Sequence, residues 1–482
     1  MSRARQHLKG ATALTISQAG TRFLSLLTLV IIQKHVTVEE NGLFQLALRL
    51  SFLLALFTEF GVRGYIVREV ARCRSERQRS QTVFGNVLNL RLALVVPVGC
   101  IGALILWAAG YSRTTLAVVG FFYVFTVLDS FATLFKFLFR AYDRMEFDAI
   151  FSVLGRFLIL AGLIVLLQAG HLTVPKIAAV HIGAAGAECL ALAVSIPMFL
   201  QLSLLHRWDS RGILEALRRS IPFAVINIIG TLYMSTGTIA LSKMLGEQAV
   251  GYYNAASRLP EALQFLPTAV VNALIPFLSR HHNDRALVAR YYQFLTRYLG
   301  YMALILCSVF VFAPHWIIQL VAKREYLAAS SVFRFYGVWL VLIYYQIISA
   351  NILICLNAEK IVMVRAMVAL VLNVCLNVVG IRLWGLNGAA LALLATECVS
   401  GTLYSVALLR RGVKLGLGTL FRLSIVGLAS SVPLIVLNTS IPDTLRVGVG
   451  VLCGCILTLL FALRDDSSLI RRALGGENRQ TR

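Results

Sequence analysis

The sequence predicts an all-α polytopic membrane protein of about fourteen transmembrane helices, on three observations. The 482-residue chain is 58% hydrophobic and only 14% charged, too little polar surface for a water-soluble molecule of this length. Apolar runs of about 18 to 25 residues recur from end to end, separated by short polar breaks. Basic residues gather in alternate breaks. Mean hydropathy is +0.79.

The predicted spans are 12–32, 43–62, 86–108, 115–138, 148–168, 175–200, 221–243, 251–278, 291–313, 330–354, 361–381, 387–409, 419–438 and 445–463. Each is near the roughly 20 residues that cross the hydrocarbon core. The first is a retained span and not a cleaved signal, because it carries Arg22 and no small-residue cleavage site follows it. Thr15, Gln18, Arg22 and Ser25 fall within roughly 80° of arc on it, a polar stripe that must face something other than lipid. On the second span Gln45 and Arg49 share a face. On the eighth, Asn254, Arg258, Glu261 and Asn272 do so, beside Pro260, Pro267 and Pro276, which predict kinks.

Arg22, Arg49 and Arg258 are therefore cations at bilayer depth, a position that costs roughly 2.5–3.5 kcal/mol on insertion scales and favours a protein-lined or wet cavity. Guanidinium keeps its proton in a poor dielectric and forks onto phosphate oxygens, so the three together would form an anion site. The competing reading pairs Arg258 with Glu261 on its own helix, and Arg22 and Arg49 with Asp129, Glu188 or Glu59 across helices. Arg91, Arg297 and Arg334 lie nearer span ends and are expected to snorkel, while the deeper Arg156 is expected to pair with Asp129 or Glu188. Asn373 and Asn377 on the eleventh span, with Thr396 and Glu397 on the twelfth, form a candidate site for Na⁺ or a proton, against the alternative of helix–helix hydrogen bonding.

The net charge of +23 follows membrane topology and gives no sign of nucleic acid. With the N-terminus in the cytoplasm, about 30 basic residues fall on the inner side against about 8 outside, which predicts both termini inside. Arg280, Arg285, Arg290, Lys360, Arg365, Arg410 and Arg411 are among the inner set, where contact with lipid headgroups is the simplest role. The nine cysteines form no framework, and Cys453 and Cys455 point about 200° apart on a helix, so no metal site is expected. HExxH, GxSxG, P-loop and Rossmann patterns are missing in any suitable context, so the chain does not read as an enzyme.

The chain divides near 201–220, a basic amphipathic stretch expected to lie along the membrane surface before Pro222 opens the next span. The halves look like repeats. EENGLFQLALRL (39–50) aligns with EQAVGYYNAASRL (247–259) on Gly42 and Gly251, which sets Arg49 against Arg258 at an offset of 209 residues. Six spans before the join make the repeats parallel, the arrangement of transporters that bind substrate between their halves.

VEENGLFQLALRL, FTEFGVRGYIVREVAR (57–72), LGEQAVGYYNAASRL (245–259) and VLNVCLNVVGIRLWGLNGAALALLATE (371–397) resemble, in order, the polysaccharide flippases of the multidrug/oligosaccharidyl-lipid/polysaccharide exporter superfamily. The resemblance covers nearly the whole chain. It implies two six-helix lobes related by a pseudo-two-fold axis, 1–200 and 221–409, joined by a cytoplasmic linker at 201–220, with two further helices and a cytoplasmic tail in 410–482. It implies a flippase of the bacterial cytoplasmic (inner) membrane, moving a polyprenyl-pyrophosphate-linked oligosaccharide by alternating access. Pathway partners would be a polysaccharide polymerase and glycosyltransferases. Arg22, Arg49 and Arg258 match the cavity arginines of related lipid II flippases, and 419–438 and 445–463 match helices that form a lipid-tail groove. Some relatives carry an acid on the seventh helix as part of a cation site, whereas MSTGTIALSK (234–243) has none. The alternatives are a cation-coupled multidrug exporter of the same superfamily, a membrane glycosyltransferase or polymerase, and a non-transporting scaffold. The exporter would want cavity acids where the first two spans offer only Glu59.

Overall fold

The computed structural model describes residues 2–73, 76–170, 172–204, 208–414, 417–436 and 442–465. Every regular element among them is helical. In hydrocarbon the backbone must satisfy its own hydrogen bonds, and a helix does so within one segment. All fourteen predicted apolar runs fall on helices over their described residues, and ten stretches of those residues are long and apolar enough to cross a membrane. One of the ten, Glu359–Leu409, carries two of the predicted spans.

Two compact units emerge. The first holds residues 1–255, 321–325 and 370–386. Its helices are α1 (Ser2–His35), α2 (Val38–Glu59), α3 (Val62–Arg72), α4 (Arg77–Ala108), α5 (Arg113–Ala141), α6 (Met145–Gln168), α7 (Val174–Ser195, closing in a π turn at Ile196–Leu200), α8 (Ser210–Met244) and the start of α9 (Glu247–Leu263). Helix α1 packs on α6, α2 on α4, α5 and α8, and α5 on α7. Thr37 caps α2 in a reciprocal box with Glu40, and at the other end Phe60 (φ 40°) and Gly61 (φ 69°) turn the chain sharply into α3. The core beneath α3 is built from Val62, Ile66, Phe84, Leu138 and Phe139, while Leu92, Val96, Leu104 and Trp107 of α4 stay exposed, as a lipid-facing surface requires.

The second unit holds 256–320, 326–369 and 387–482. It contains the rest of α9, then α10 (Phe265–Arg280), α11 (Arg285–Phe312), α12 (Pro314–Val321), α13 (Ser330–Cys355, after a 3-10 turn), most of α14 (Glu359–Leu409), α15 (Leu417–Val436) and α16 (Asp443–Asp465). Helix α11 is its hub, packing on α13, α15 and α16. Ser308 binds Ser430 at 2.8 Å and Ser431 at 2.9 Å across α11 and α15, the kind of polar glue that serves where lipid supplies no hydrophobic drive.

Two local expectations are corrected and one is refined. Residues 210–220 do not form a separate surface segment: α8 runs unbroken through them and through position 222. The eighth span breaks at Gln264, between α9 and α10, as Pro267 predicts: with no N–H, it leaves the Leu263 carbonyl without its helical partner, whereas Pro260 lies inside α9. Residues 63–72, which lie outside every predicted span, belong to the helix α3.

Candidate functional site

Arg22 lies mid-way along α1 with its side chain exposed, flanked by exposed Gln18 and Ser25. The Ser25 hydroxyl donates to the Thr21 carbonyl at 2.7 Å, back onto its own helix. The side chain of Thr15 lies outside the described residues. Arg49 on α2 is half-buried. Gln45, one turn earlier, is buried, and its side-chain amide donates to Asn41 at 3.5 Å. Both arginines belong to the first unit.

Arg258 belongs to the second unit, and its guanidinium lies 3.6 Å from the Glu261 carboxylate. Both side chains remain about a quarter open (26% and 22%), a loose contact and not a locked bridge. Asn254 is buried, bound to Thr238 and to the Val250 carbonyl, and Asn272 is exposed on α10. Arg22 and Arg49 thus offer guanidinium hydrogen-bond donors within the first unit, and Arg258, tempered by Glu261, offers one in the second.

The candidate cation residues divide differently. Asn377 donates to the Asn373 side chain at 3.0 Å and to its carbonyl at 2.8 Å, both buried within the first unit. Glu397, fully buried in the second unit, accepts from Arg365 at 2.8 Å and from Gln346 at 2.5 Å. Arg365 also donates to the Gln346 side-chain amide oxygen and lies over the Tyr404 ring at 5.3 Å. Arg365, counted among the inner basic residues, is an intrahelical residue of α14 that supplies the counter-charge for Glu397.

Other charged residues departed from expectation too. Arg91 does not snorkel: it is 1% exposed and donates to the Ser130 carbonyl at 2.8 Å and hydroxyl at 3.1 Å. Arg156 pairs with Asp129 at 3.6 Å as anticipated, while Glu188 is taken by Lys136 at 2.8 Å. Gly155 makes that approach possible, since a Cβ there would lie 2.1 Å from a Glu188 oxygen.

Two features had no clear sequence signal. Within the first unit, α2 and α9 meet at the aligned glycines: a Cβ on Gly42 would fall 1.8 Å from the Glu247 carbonyl oxygen, and one on Gly251 2.1 Å from that of Val38. Around this crossing Thr115 donates to Glu247 at 2.9 Å, and Lys243 donates to the Ala109 carbonyl at 2.6 Å while capping the Tyr111 ring. Within the second unit, α11, α13, the end of α14 and α15 enclose a groove of about 1030 Å³. Leu304, Val338, Leu342, Leu423, Gly427 and Leu428 give it an apolar wall, with Thr296, Ser308, Tyr345, Ser405 and Ser431 among its polar groups.

Residues 7–282 match the polysaccharide biosynthesis protein family, and residues 222–379 match the MatE family. No curated protein matches the chain significantly. Among solved structures, the lipid II flippase MurJ in an inward closed conformation superposes with a TM-score of 0.75 at 15% identity, over 95% of this chain and 99% of that one. An inward-facing multidrug resistance MATE transporter of the MOP superfamily gives 0.67 at 14% identity, over 85% and 98%. A MOP superfamily transporter from Pyrococcus furiosus, described as having reverse polarity of its binding pocket, gives 0.58 at 14% identity, over 87% and 95%. With more than half its length matched, the chain belongs to the polysaccharide biosynthesis protein family, on the fold of the MOP superfamily transporters.

Proposed function

We propose that this transporter is a flippase for polyprenyl-pyrophosphate-linked oligosaccharide repeat units, working across the bacterial cytoplasmic membrane in surface polysaccharide synthesis. The observation that carries the reading is Arg22, an exposed guanidinium mid-way along an apolar helix, with Arg49 on the next helix of the same unit. A cation at bilayer depth is costly, and a diphosphate is the ligand that returns most for it. The diphosphate cannot shed its water into hydrocarbon unaided, so guanidinium groups replace that water while the prenyl chain stays in an apolar setting. The groove beside α15 has the apolar lining a prenyl chain needs. Alternating access then requires the crossing at Gly42 and Gly251 to part in one state and close in the other. Both termini stay in the cytoplasm, and the polymerase and glycosyltransferases of the pathway act before and after the flip.

Glu261 makes a specific prediction on this reading. The pyrophosphate must compete with it for Arg258, so Glu261→Gln should tighten substrate binding while Arg258→Ala weakens it. Arg22→Ala and Arg49→Ala should each reduce translocation at least tenfold, the loss of about 1.4 kcal/mol or more expected for a charge-assisted pair. The measurement is flipping of a lipid-linked oligosaccharide in proteoliposomes, with protein level checked by immunoblot. Wild-type rates in both alanine variants would remove the site.

The MatE match over 222–379 favours a second reading, a cation-coupled exporter of cationic drugs. In that case Asn373, Asn377 and Glu397 would serve Na⁺ or proton coupling, and Arg22→Ala would leave or improve drug transport.

A further inference from the structure

The second unit carries a polar pocket that the transport reading does not use. The turn between α10 and α11, the end of α13 and the end of α14 enclose about 380 Å³, lined by His282, Asn283, Arg285, Leu356, Asn357 and Arg411. Two guanidinium groups, an imidazole and two amides meet there, with one aliphatic side chain and no carboxylate in the lining. The adjacent acid, Asp284, is occupied: its carboxylate accepts from the Leu287 amide at 2.9 Å and caps α11. The pocket therefore sits beside the positive end of a 28-residue helix. His282 keeps Nδ1 toward the Ser279 carbonyl at 3.0 Å, which leaves Nε2 for another partner. Arg411 makes one bond to the Ala407 carbonyl at 3.2 Å, and a guanidinium has five donors. Beside the pocket, the Phe277 ring lies 4.6 Å from His281 and 5.3 Å from Tyr291, an aromatic cluster of the kind found at headgroup depth.

We propose that this pocket binds a phosphate-bearing anion, presented by a bilayer phospholipid headgroup or as free phosphate. Arg285 and Arg411 supply charge and paired donors, Asn283 and Asn357 complete the oxygen shell, and the neighbouring aromatic rings suit an attached acyl glycerol. The site stands whether or not the protein moves lipid-linked sugars.

The test uses the full chain in detergent, titrated in one arm with phosphatidylglycerol in mixed micelles and in another with inorganic phosphate, reading bound anion by native mass spectrometry and Tm. Phosphatidylglycerol binding that inorganic phosphate does not displace assigns the headgroup; displacement assigns free phosphate. Either result supports the pocket if R285A/R411A weakens binding about tenfold while R290A/R410A, which removes equal charge outside the lining, changes it less than about threefold. Asn283→Asp, which adds a carboxylate and keeps both arginines, should weaken binding likewise and guards against misfolding of the double variant. Equal losses in both double variants, or no binding of either probe to the wild type, would overturn the proposal.

Discussion

At the scale of single residues, what decides the chemistry is which charges the protein already neutralises. Glu397 is the sharpest case. A fully buried carboxylate that accepts from Arg365 and Gln346 has its charge and lone pairs in use. Removing Arg365 would leave that carboxylate without its cation, and breaking such a pair costs about 3–5 kcal/mol. Arg365→Met should therefore lower Tm markedly, while the double variant Arg365→Met/Glu397→Met recovers much of the loss, because replacing both partners avoids an uncompensated charge. Thermal unfolding in detergent, with and without Na⁺, reads both effects. A double variant no more stable than the single one would show that the pair is not what holds these residues. Little of this was legible in the sequence. Glu397 stood out as an acid within an apolar run, but Arg365 sits 32 positions earlier on α14, and only the break between them brings the two side chains together. Arg91 teaches the same point, since closeness to a span end suggested snorkelling while Ser130 on α5 captured it.

At the scale of elements, glycine sets what two helices can do. Gly42 and Gly251 emerged from the sequence as equivalent repeat positions, yet equivalence does not say that they touch. In the structure each leaves room for the other stretch of backbone, α2 against a carbonyl of α9 and the reverse. Small residues permit this approach in membranes, and no side chain can be inserted without moving a helix. Gly42→Ala or Gly251→Ala should cost about 1–3 kcal/mol by overpacking, read as a drop in Tm. On the alternating-access reading the same variants also bias the protein toward the parted state. A cysteine pair at Thr115 and Glu247, which hydrogen-bond at 2.9 Å, should then crosslink less readily when Gly42 is replaced by alanine. Unchanged Tm and unchanged crosslinking would mean the crossing is slack. Gly385 works differently: its φ of 56° and ψ of −131° interrupt α14, so the predicted spans 361–381 and 387–409 are two helical stretches on either side of a kink.

At the scale of the whole molecule, fold class was legible because lipid imposes few solutions: apolar runs had to be helical, and ten stretches of the described residues are helices long and apolar enough to cross a membrane. A groove along 419–438 was implied by the family resemblance alone; residue patterns did not show it, because it is formed by four helices whose inward faces read as ordinary apolar spans. If it holds the prenyl tail, transport must depend on chain length. Each buried CH₂ contributes about 0.8 kcal/mol, so denying burial to four of them costs about 3 kcal/mol, more than a hundredfold in affinity. Gly427 is the position from which to test this. A Cβ there would meet Leu304 only at ordinary contact, 3.6 Å, so a large side chain can extend into the open volume without forcing helices apart. Gly427→Phe should raise the KM for a long-chain lipid-linked sugar strongly and leave a short-chain analogue nearly unaffected, since the short chain never reaches the filled region. Arg22→Ala should penalise both substrates equally, because both carry the pyrophosphate. Measured side by side in proteoliposomes, the two variants separate headgroup from tail. Equal sensitivity of long and short chains to Gly427→Phe would place the tail elsewhere and leave the groove as packing space between α11 and α15.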